Sequence, residues 1–281
     1  MSRGAAHSGP LPNPLLAPLS VDNLSSGYAG KRIVEQASFE CAAGSLTAII
    51  GANGSGKSTL LATIARLIRP DAGAVLLHGR SIHQMPTREA ARQLGILPQS
   101  PVMPESMSVF DLVSRGRYPH QGLLNQWTQK DTEAVEKALR LTGTRDFATM
   151  PVDRLSGGQR QRCWIAMALA QETNVILLDE PTTYLDMKFQ VEVMNLLHEL
   201  AATHARTIIT VLHDLNLAIA YADQLIFMRK GRIHTRLSDP AECTSDLIRS
   251  VFDADVRLVR ASQDERPFFM PNTPVKARTG K

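Results

Sequence analysis

Two short segments of this sequence carry residue types that do phosphate chemistry. Gly51-Ala52-Asn53-Gly54-Ser55-Gly56-Lys57-Ser58 follows the spacing G-x-x-x-x-G-K-[ST] in full, with Thr59 next in the chain. Glycines at such positions let backbone N–H groups turn inward with no Cβ in the way. The start of a following helix adds more donors and the positive end of its dipole. Lys57 supplies a point charge for β- and γ-phosphates, and Ser58 a hydroxyl for magnesium. The bland alternative is a glycine-rich turn with a chance lysine. At ordinary residue frequencies the four fixed positions coincide in roughly one chain of this length in a hundred. An apolar strand before the segment and a helix after it lower that further.

The second segment is Val175-Ile176-Leu177-Leu178-Asp179-Glu180, an apolar run that ends in two carboxylates. Strand alternation sends neighbouring side chains to different sides, so the two acids are expected to divide the work. Asp179 suits a magnesium contact, and Glu180 is left to polarise an attacking water as general base. A third segment, Leu155-Ser156-Gly157-Gly158-Gln159, precedes a helical pattern. Ser156 and Gln159 have capping-box spacing. That explains the serine and the glutamine but not Gly157 and Gly158, which cost helix stability. Two glycines at a helix start point to close approach of a ligand to the backbone.

These residues need a frame. Leu19 to Leu24 and Ile33 to Cys41 are patterned as strands, with Gly27 and Gly30 as turn signals between them. Leu46 to Ile50 is a buried strand, and a helix is expected from Lys57 to about Ile68, ended by Pro70 and Gly73. Ala74 to Leu77 and Gly95 to Leu97 are further strands. The pattern turns helical from Ser108 to about Leu141 and again from about Gly158 to Gln171. Then follow a strand at Val175 to Leu178, a helix over Lys188 to His204, a strand at Thr207 to Leu212 and a helix over Leu215 to Ala222. Strands near Leu225 to Met228 and Arg232 to Thr235 come last. Alternation of strands and helices predicts an α/β fold with a parallel sheet covered on both faces. The expected core is RecA-like, with helices inserted over about residues 101–171. Trp127, Trp164, Met167 and Leu169 are assigned to packing.

Composition narrows the function classes. The chain has 281 residues, 43% hydrophobic and 21% charged, which suits one large globular domain or two small ones. A formal net charge of +4, spread along the chain, is a poor match to nucleic-acid binding. Cys41, Cys163 and Cys243 form no CxxC pair, which argues against a zinc or dithiol site and suits a reducing compartment. The apolar runs are strand-sized, far short of the ~20 residues of a membrane span. Residues 1–18, with prolines at 10, 12, 14 and 18 and no sustained apolar core, are expected to form a flexible leader without a signal peptide. Residues 19–258 are expected to form the main domain and 259–281 a C-terminal tail.

The segment LSGGQ, by chance present in fewer than about one chain in a thousand, resembles the signature of ABC ATPases. Other motifs of that family stand here in the family's order over roughly residues 19–236. The resemblance implies a P-loop NTPase core with an antiparallel β subdomain and a helical subdomain, binding ATP and Mg2+. It makes Gly51, Asn53, Gly54, Ser55, Gly56, Lys57, Ser58 and Thr59 the phosphate contacts. Tyr28 looks like the aromatic that stacks on adenine, and Gln99 like the glutamine that reaches magnesium and the water. Asp186, in Leu185-Asp186, looks like the family's D-loop, and His213 like the histidine that contacts the γ-phosphate. Glu180, His213 and Gln99 are then the catalytic set, and Ser58, Gln99 and Asp179 the metal set. In this family two subunits sandwich two ATP molecules head to tail. Ser156, Gly157, Gly158 and Gln159 of one chain would therefore close on the nucleotide held by Lys57 of the other.

The same resemblance implies a transmembrane permease whose cytoplasmic helix docks beside Gln99 to Tyr118, with a substrate-binding protein engaged indirectly. Val102, Met103, Met107 and Val109 either serve that contact or belong to the core. The expected location is the cytoplasmic face of the inner membrane, peripherally bound. Arg115-Gly116-Arg117-Tyr118-Pro119-His120 and Leu155 to Asp186 look, more narrowly, like the ATPases of ferric-siderophore importers, a group that also serves haem and cobalamin. Other ABC importers are the nearest rivals. A soluble ABC ATPase of DNA repair or translation is disfavoured by the single cassette and the lack of sustained heptads. A kinase or GTPase on the same phosphate loop is disfavoured by the signature.

Overall fold

A computed structural model describes residues 17–99, 101, 106–122, 127–260 and 265–272. Strands β1 (Leu19–Tyr28) and β2 (Lys31–Cys41) pair antiparallel through the turn at Ala29 and Gly30. Strand β3 (Leu46–Gly51) is buried along its whole length, as a central parallel strand must be. It feeds the loop that opens α1 (Lys57–Ile64). That helix ends earlier than its pattern predicts. Arg66 N–H donates to Thr63 O (3.1 Å) and Leu67 N–H to Ala62 O (2.8 Å), with Arg66 left-handed at φ 65°. This pair of bonds closes the helix before Pro70 is reached.

Strands β4 (Ala72–Leu77) and β5 (Arg80–Ser81) complete a four-stranded antiparallel sheet in the order β2-β1-β4-β5. A short helix α2 (Thr87–Ala91) leads to β6 (Leu94–Leu97). The helical stretch expected over Ser108 to Leu141 is two helices, α3 (Val109–Ser114) and α4 (Gln129–Leu141). They part at Arg115–Arg117, where a Cβ on Gly116 would sit 2.2 Å from Met167 O. Arg117 is buried there, its Nε donating to Asp131 Oδ1 (2.9 Å) and its Nη1 to Ala170 O and Glu172 Oε2 (both 2.7 Å). His120 Nε2 donates to Gln171 O at 2.8 Å. The Arg115 to His120 segment is thus a brace beneath α5 (Gly157–Ala170).

The remaining core elements are β7 (Val175–Asp179), α6 (Met187–His204), β8 (Thr207–Val211), α7 (Leu215–Tyr221), β9 (Gln224–Arg229) and β10 (Arg232–Leu237). The six-stranded sheet runs β10-β9-β3-β8-β7-β6, parallel throughout except for the β9–β10 hairpin. Its two faces bury different partners. Ile176, Leu178 and Ile208 join the helices α3 to α7. Val175, Leu177 and Ile209 join α1 and the antiparallel sheet. Trp164 lies in the first of these clusters with Met167 packed against it, whereas Trp127 is 42% exposed.

The expected leader falls almost wholly outside the described residues, as do Val102 and Met103. Val109 is fully buried and Met107 packs against the same cluster, so both belong to the core. The C-terminal tail is corrected. After α8 (Ser245–Phe252), strand β11 (Val256–Val259) pairs antiparallel with β12 (Phe268–Pro271), inside the segment read as a tail. One long-range contact overrides the polar composition: Phe269 is buried against α7 and bonded to Asn216.

Candidate functional site

The phosphate loop hangs between β3 and α1. Gly51 leaves no room for a side chain, since a Cβ there would lie 2.3 Å from Met228 O and 2.7 Å from Ser55 Oγ. Gly54 and Gly56 are left-handed at φ 76° and 102°. Gly56 is also the N-cap of α1 and brings no side-chain cap, so the first N–H groups of the helix are left for a ligand. Lys57 is buried, and its Nζ donates to Gly51 O (2.8 Å) and Ala52 O (3.2 Å), curling the loop round itself. Burial pushes the Lys57 ammonium below its ordinary pKa, and the charges of Glu180 and Asp179 oppose that shift. Ser55 Oγ is buried with no partner. Inward N–H groups, a cation and an unpartnered hydroxyl together fit a phosphate chain.

Asp179 ends β7 opposite this loop, and Ser58 Oγ donates to its Oδ1 at 3.5 Å. A carboxylate facing a hydroxyl is the oxygen donor set that hard divalent cations take. Burial, then the charge of Glu180, raises the Asp179 carboxyl above its ordinary pKa of 3.8, against the Ser58 bond and the charges of Lys57 and His213. A raised acid pKa means that the ionised form costs the fold stability at neutral pH. Asp179→Asn removes that cost and should melt higher in nucleotide-free protein. The gain should fade as the pH is lowered toward 3.8. A melting scan across pH with no difference between the two proteins would contradict this account.

Glu180 directly follows. It is 8% exposed and its backbone is left-handed at φ 53°. Asp179 keeps the alternation of β7, on the α1 face with Val175 and Leu177, and Glu180 lies in a kink just past the strand end. Its carboxylate accepts from Gln99 Nε2 and from Thr183 Oγ1 (3.2 Å), and His213 Nε2 lies 2.5 Å from Oε1. Gln99 follows β6, Glu180 follows β7 and His213 follows β8. Three adjacent parallel strands thus deliver the three side chains at their carboxyl ends, where ligands bind in such sheets. The cleft has a volume of about 550 Å³ and is lined by Lys57, Ser58, Gln99, Glu180, Tyr184 and His213 among others. Asn53, Gly54, Gly56 and Thr59 also line it. Thr183, Tyr184 and Ile33 were not legible as cleft residues. Nothing in their types marks them, although Thr183 lies one helical turn after Glu180.

The other sequence-predicted residues lie elsewhere. Tyr28 is half exposed at the end of β1 and does not line the cleft in this state. Ser156 caps α5: Gln159 N–H donates to Ser156 Oγ (3.3 Å) and Ser156 N–H to Gln159 Oε1 (3.0 Å). A Cβ on Gly157 would meet only Leu185 Cδ2, at an ordinary 3.6 Å. Gly158 is different. A Cβ there would fall 2.4 Å from the Phe189 ring and 2.9 Å from its Cβ. Its glycine is required by packing on α6, so ligand approach is not needed to explain it. Asp186 caps α6, accepting from Phe189 N–H at 3.1 Å.

Gly158→Ala should therefore cost ~1–3 kcal/mol despite the better helix propensity of alanine. The same change in a Phe189→Ala background should be neutral or stabilising. Equal losses in both backgrounds, read by denaturant melts, would refute the clash.

Comparison with known proteins agrees with this geometry. A family model described as ABC transporter matches residues 34–183. The achromobactin transport ATP-binding protein of Dickeya dadantii is 49% identical over 249 residues, 88% of this chain and 92% of that one. The ferric enterobactin transport ATP-binding protein of Escherichia coli is 43% identical over 256 residues, 91% of this chain and 94% of that one. Among solved structures, a chain of an inward-facing metal-chelate type ABC transporter superposes with a TM-score of 0.78 at 29% identity, covering 90% of this chain and 97% of that one. A dimeric bacterial ABC transporter cassette gives a TM-score of 0.68 at 25% identity, over 78% of this chain and 97% of that one. The motif order, the phosphate loop and the matched model agree: the chain belongs to the ABC transporter family, as an ATP-binding subunit that hydrolyses ATP.

Proposed function

We propose that this chain powers the import of a ferric siderophore across the cytoplasmic membrane, bound as a pair of copies to a permease fed by a substrate-binding protein. The observation that carries the motor reading is one cleft holding Lys57, Ser58 and Glu180, with Glu180 gripped by Gln99 and His213. The cargo is supported by the two relatives above, one named for achromobactin transport and the other for ferric enterobactin transport. The permease is a separate chain in this reading. No helix among the described residues is long and apolar enough to cross a membrane.

On ATP binding, Lys57 exchanges the carbonyls of Gly51 and Ala52 for phosphate oxygens. The backbone N–H groups of the loop and of the start of α1 take the remaining charge. Ser58 and Asp179, with Gln99, would hold magnesium. When bound, that ion neutralises charge on the β- and γ-phosphate oxygens. Glu180 accepts a proton from the attacking water, while Gln99 and His213 orient the carboxylate and then the γ-phosphate. Ser156, Gly157, Gly158 and Gln159 lie outside their own chain's cleft, which supports their closing on the nucleotide of a second copy, with Asp186 beside them. Tyr28 is free to swing onto the adenine. Closure and reopening would then be a γ-phosphate switch that the permease reads.

The test is uptake of iron-labelled siderophore by cells lacking this chain, restored by the wild type but not by a turnover-dead variant. A pull-down from the native membrane fraction should recover a many-helix protein. Intact siderophore uptake with loss of haem or cobalamin uptake would move the cargo. Failure to associate with any membrane protein would replace the transporter reading by that of a soluble ATPase.

A further inference from the structure

The His213 side chain is 44% exposed and contacts Glu180. In the function proposed above, it must exchange that bond for the γ-phosphate. A contact that is being exchanged cannot hold the imidazole in place. Its position then rests on the backbone on either side, β8 before it and α7 after it. Helix α7 is only seven residues long. A helix that short is marginal by itself, and its last carbonyls lack intrahelical partners. Asp214, next to His213, caps its start, accepting from Leu217 N–H at 2.9 Å.

The C-terminal segment supplies what α7 lacks. Arg266 Nη1 donates to Ile219 O (2.8 Å), Ala220 O (3.0 Å) and Ala222 O (2.8 Å). A cation there also meets the negative end of the helix dipole. Near the other end, Asn216 Nδ2 donates to Phe269 O (3.2 Å) and Phe269 N–H donates to Asn216 Oδ1 (2.9 Å), a two-way amide pair like that of a strand. Phe269 is 4% exposed and shares a buried cluster with Ala218, Ile219 and Ala222. On the far side, Tyr221 OH donates to Asn195 Oδ1 of α6 at 2.9 Å. Both ends of α7 are thus gripped by residues some fifty positions later in the chain.

We propose that Arg266 and Asn216 are positioning residues for ATP hydrolysis: they lock the C-terminal strand onto α7 and so fix the place of His213. The inference rests on His213 meeting the γ-phosphate. Misplacing such a group by about 1 Å is enough to cost orders of magnitude in rate.

The experiment uses the full chain with its permease. Arg266→Ala and Asn216→Ala should each lower kcat about tenfold while leaving KM for ATP within about twofold. In histidine-labelled protein the His213 ring resonances, assigned by their loss in His213→Ala, should shift or broaden in both variants. Arg266→Lys should recover most of the rate, since an ammonium can donate to the same carbonyls. If Arg266→Ala does not fold, Asn216→Ala carries the same readings. Unchanged kcat in the alanine variants that fold, with His213→Ala inactive, overturns the proposal. So does a loss of rate with unmoved His213 resonances. Full activity of His213→Ala would instead remove the underlying role of the histidine.

Discussion

Glu180→Gln is expected to keep binding ATP, to lose turnover by about 10²–10⁴-fold and to accumulate as an ATP-bound dimer. The substitution preserves shape at a site that tolerates little else, because the residue is buried and left-handed at φ 53°. Its neighbours can also adapt. His213 can still donate to the carbonyl oxygen kept at its side, while Thr183 Oγ1 and the turned amide oxygen of Gln99 accept from the new NH2 group on the other. Loss of the carboxylate removes the acceptor for the proton of water. It also removes a negative charge facing the γ-phosphate, so that nucleotide affinity should hold or rise. Steady-state phosphate release, ATP titration and light scattering check the three parts. Normal turnover would remove Glu180 as the base, and a strictly monomeric ATP-loaded variant would remove the two-copy engine.

Lys57→Ala should lose ~3 kcal/mol of ATP binding, roughly a hundredfold in Kd, the upper range for a charged hydrogen bond. The nucleotide-free protein should be little affected. The ammonium pKa is lowered by burial, which means that its charged form is disfavoured in the fold. Truncation relieves that cost while freeing the two loop carbonyls at Gly51 and Ala52 that it bonds. The expected signature is a melting temperature without ATP within a few degrees of wild type, and loss of the rise that ATP induces. Tight ATP binding by calorimetry would sink the role assigned to this lysine.

The route to each residue of the site differed. The phosphate loop was readable because its chemistry is local: eight consecutive residues make the turn, the cradle and the helix start. Asp179 and Glu180 were readable because an apolar strand ends on them. Asp179 keeps the alternation of the strand, whereas the left-handed backbone of Glu180, one residue past its end, was not legible in the residue types. Gln99 and His213 were recognised only through family order. Nothing within a few residues of either shows that they would meet at Glu180, 81 positions from the glutamine. Gly158 carries a packing demand that no local pattern showed, since a Cβ there would fall on a phenylalanine of the next helix.

Residue types and spacing were enough to establish the alternating α/β frame, the anion cradle and the acid pair, because each depends on interactions between near neighbours in the chain. The brace at Arg117, the grip of Arg266 on α7 and the meeting of three strand ends at one carboxylate depend on contacts between distant residues. Those arise only when the two faces of the sheet have chosen what to bury, and no local pattern records that choice.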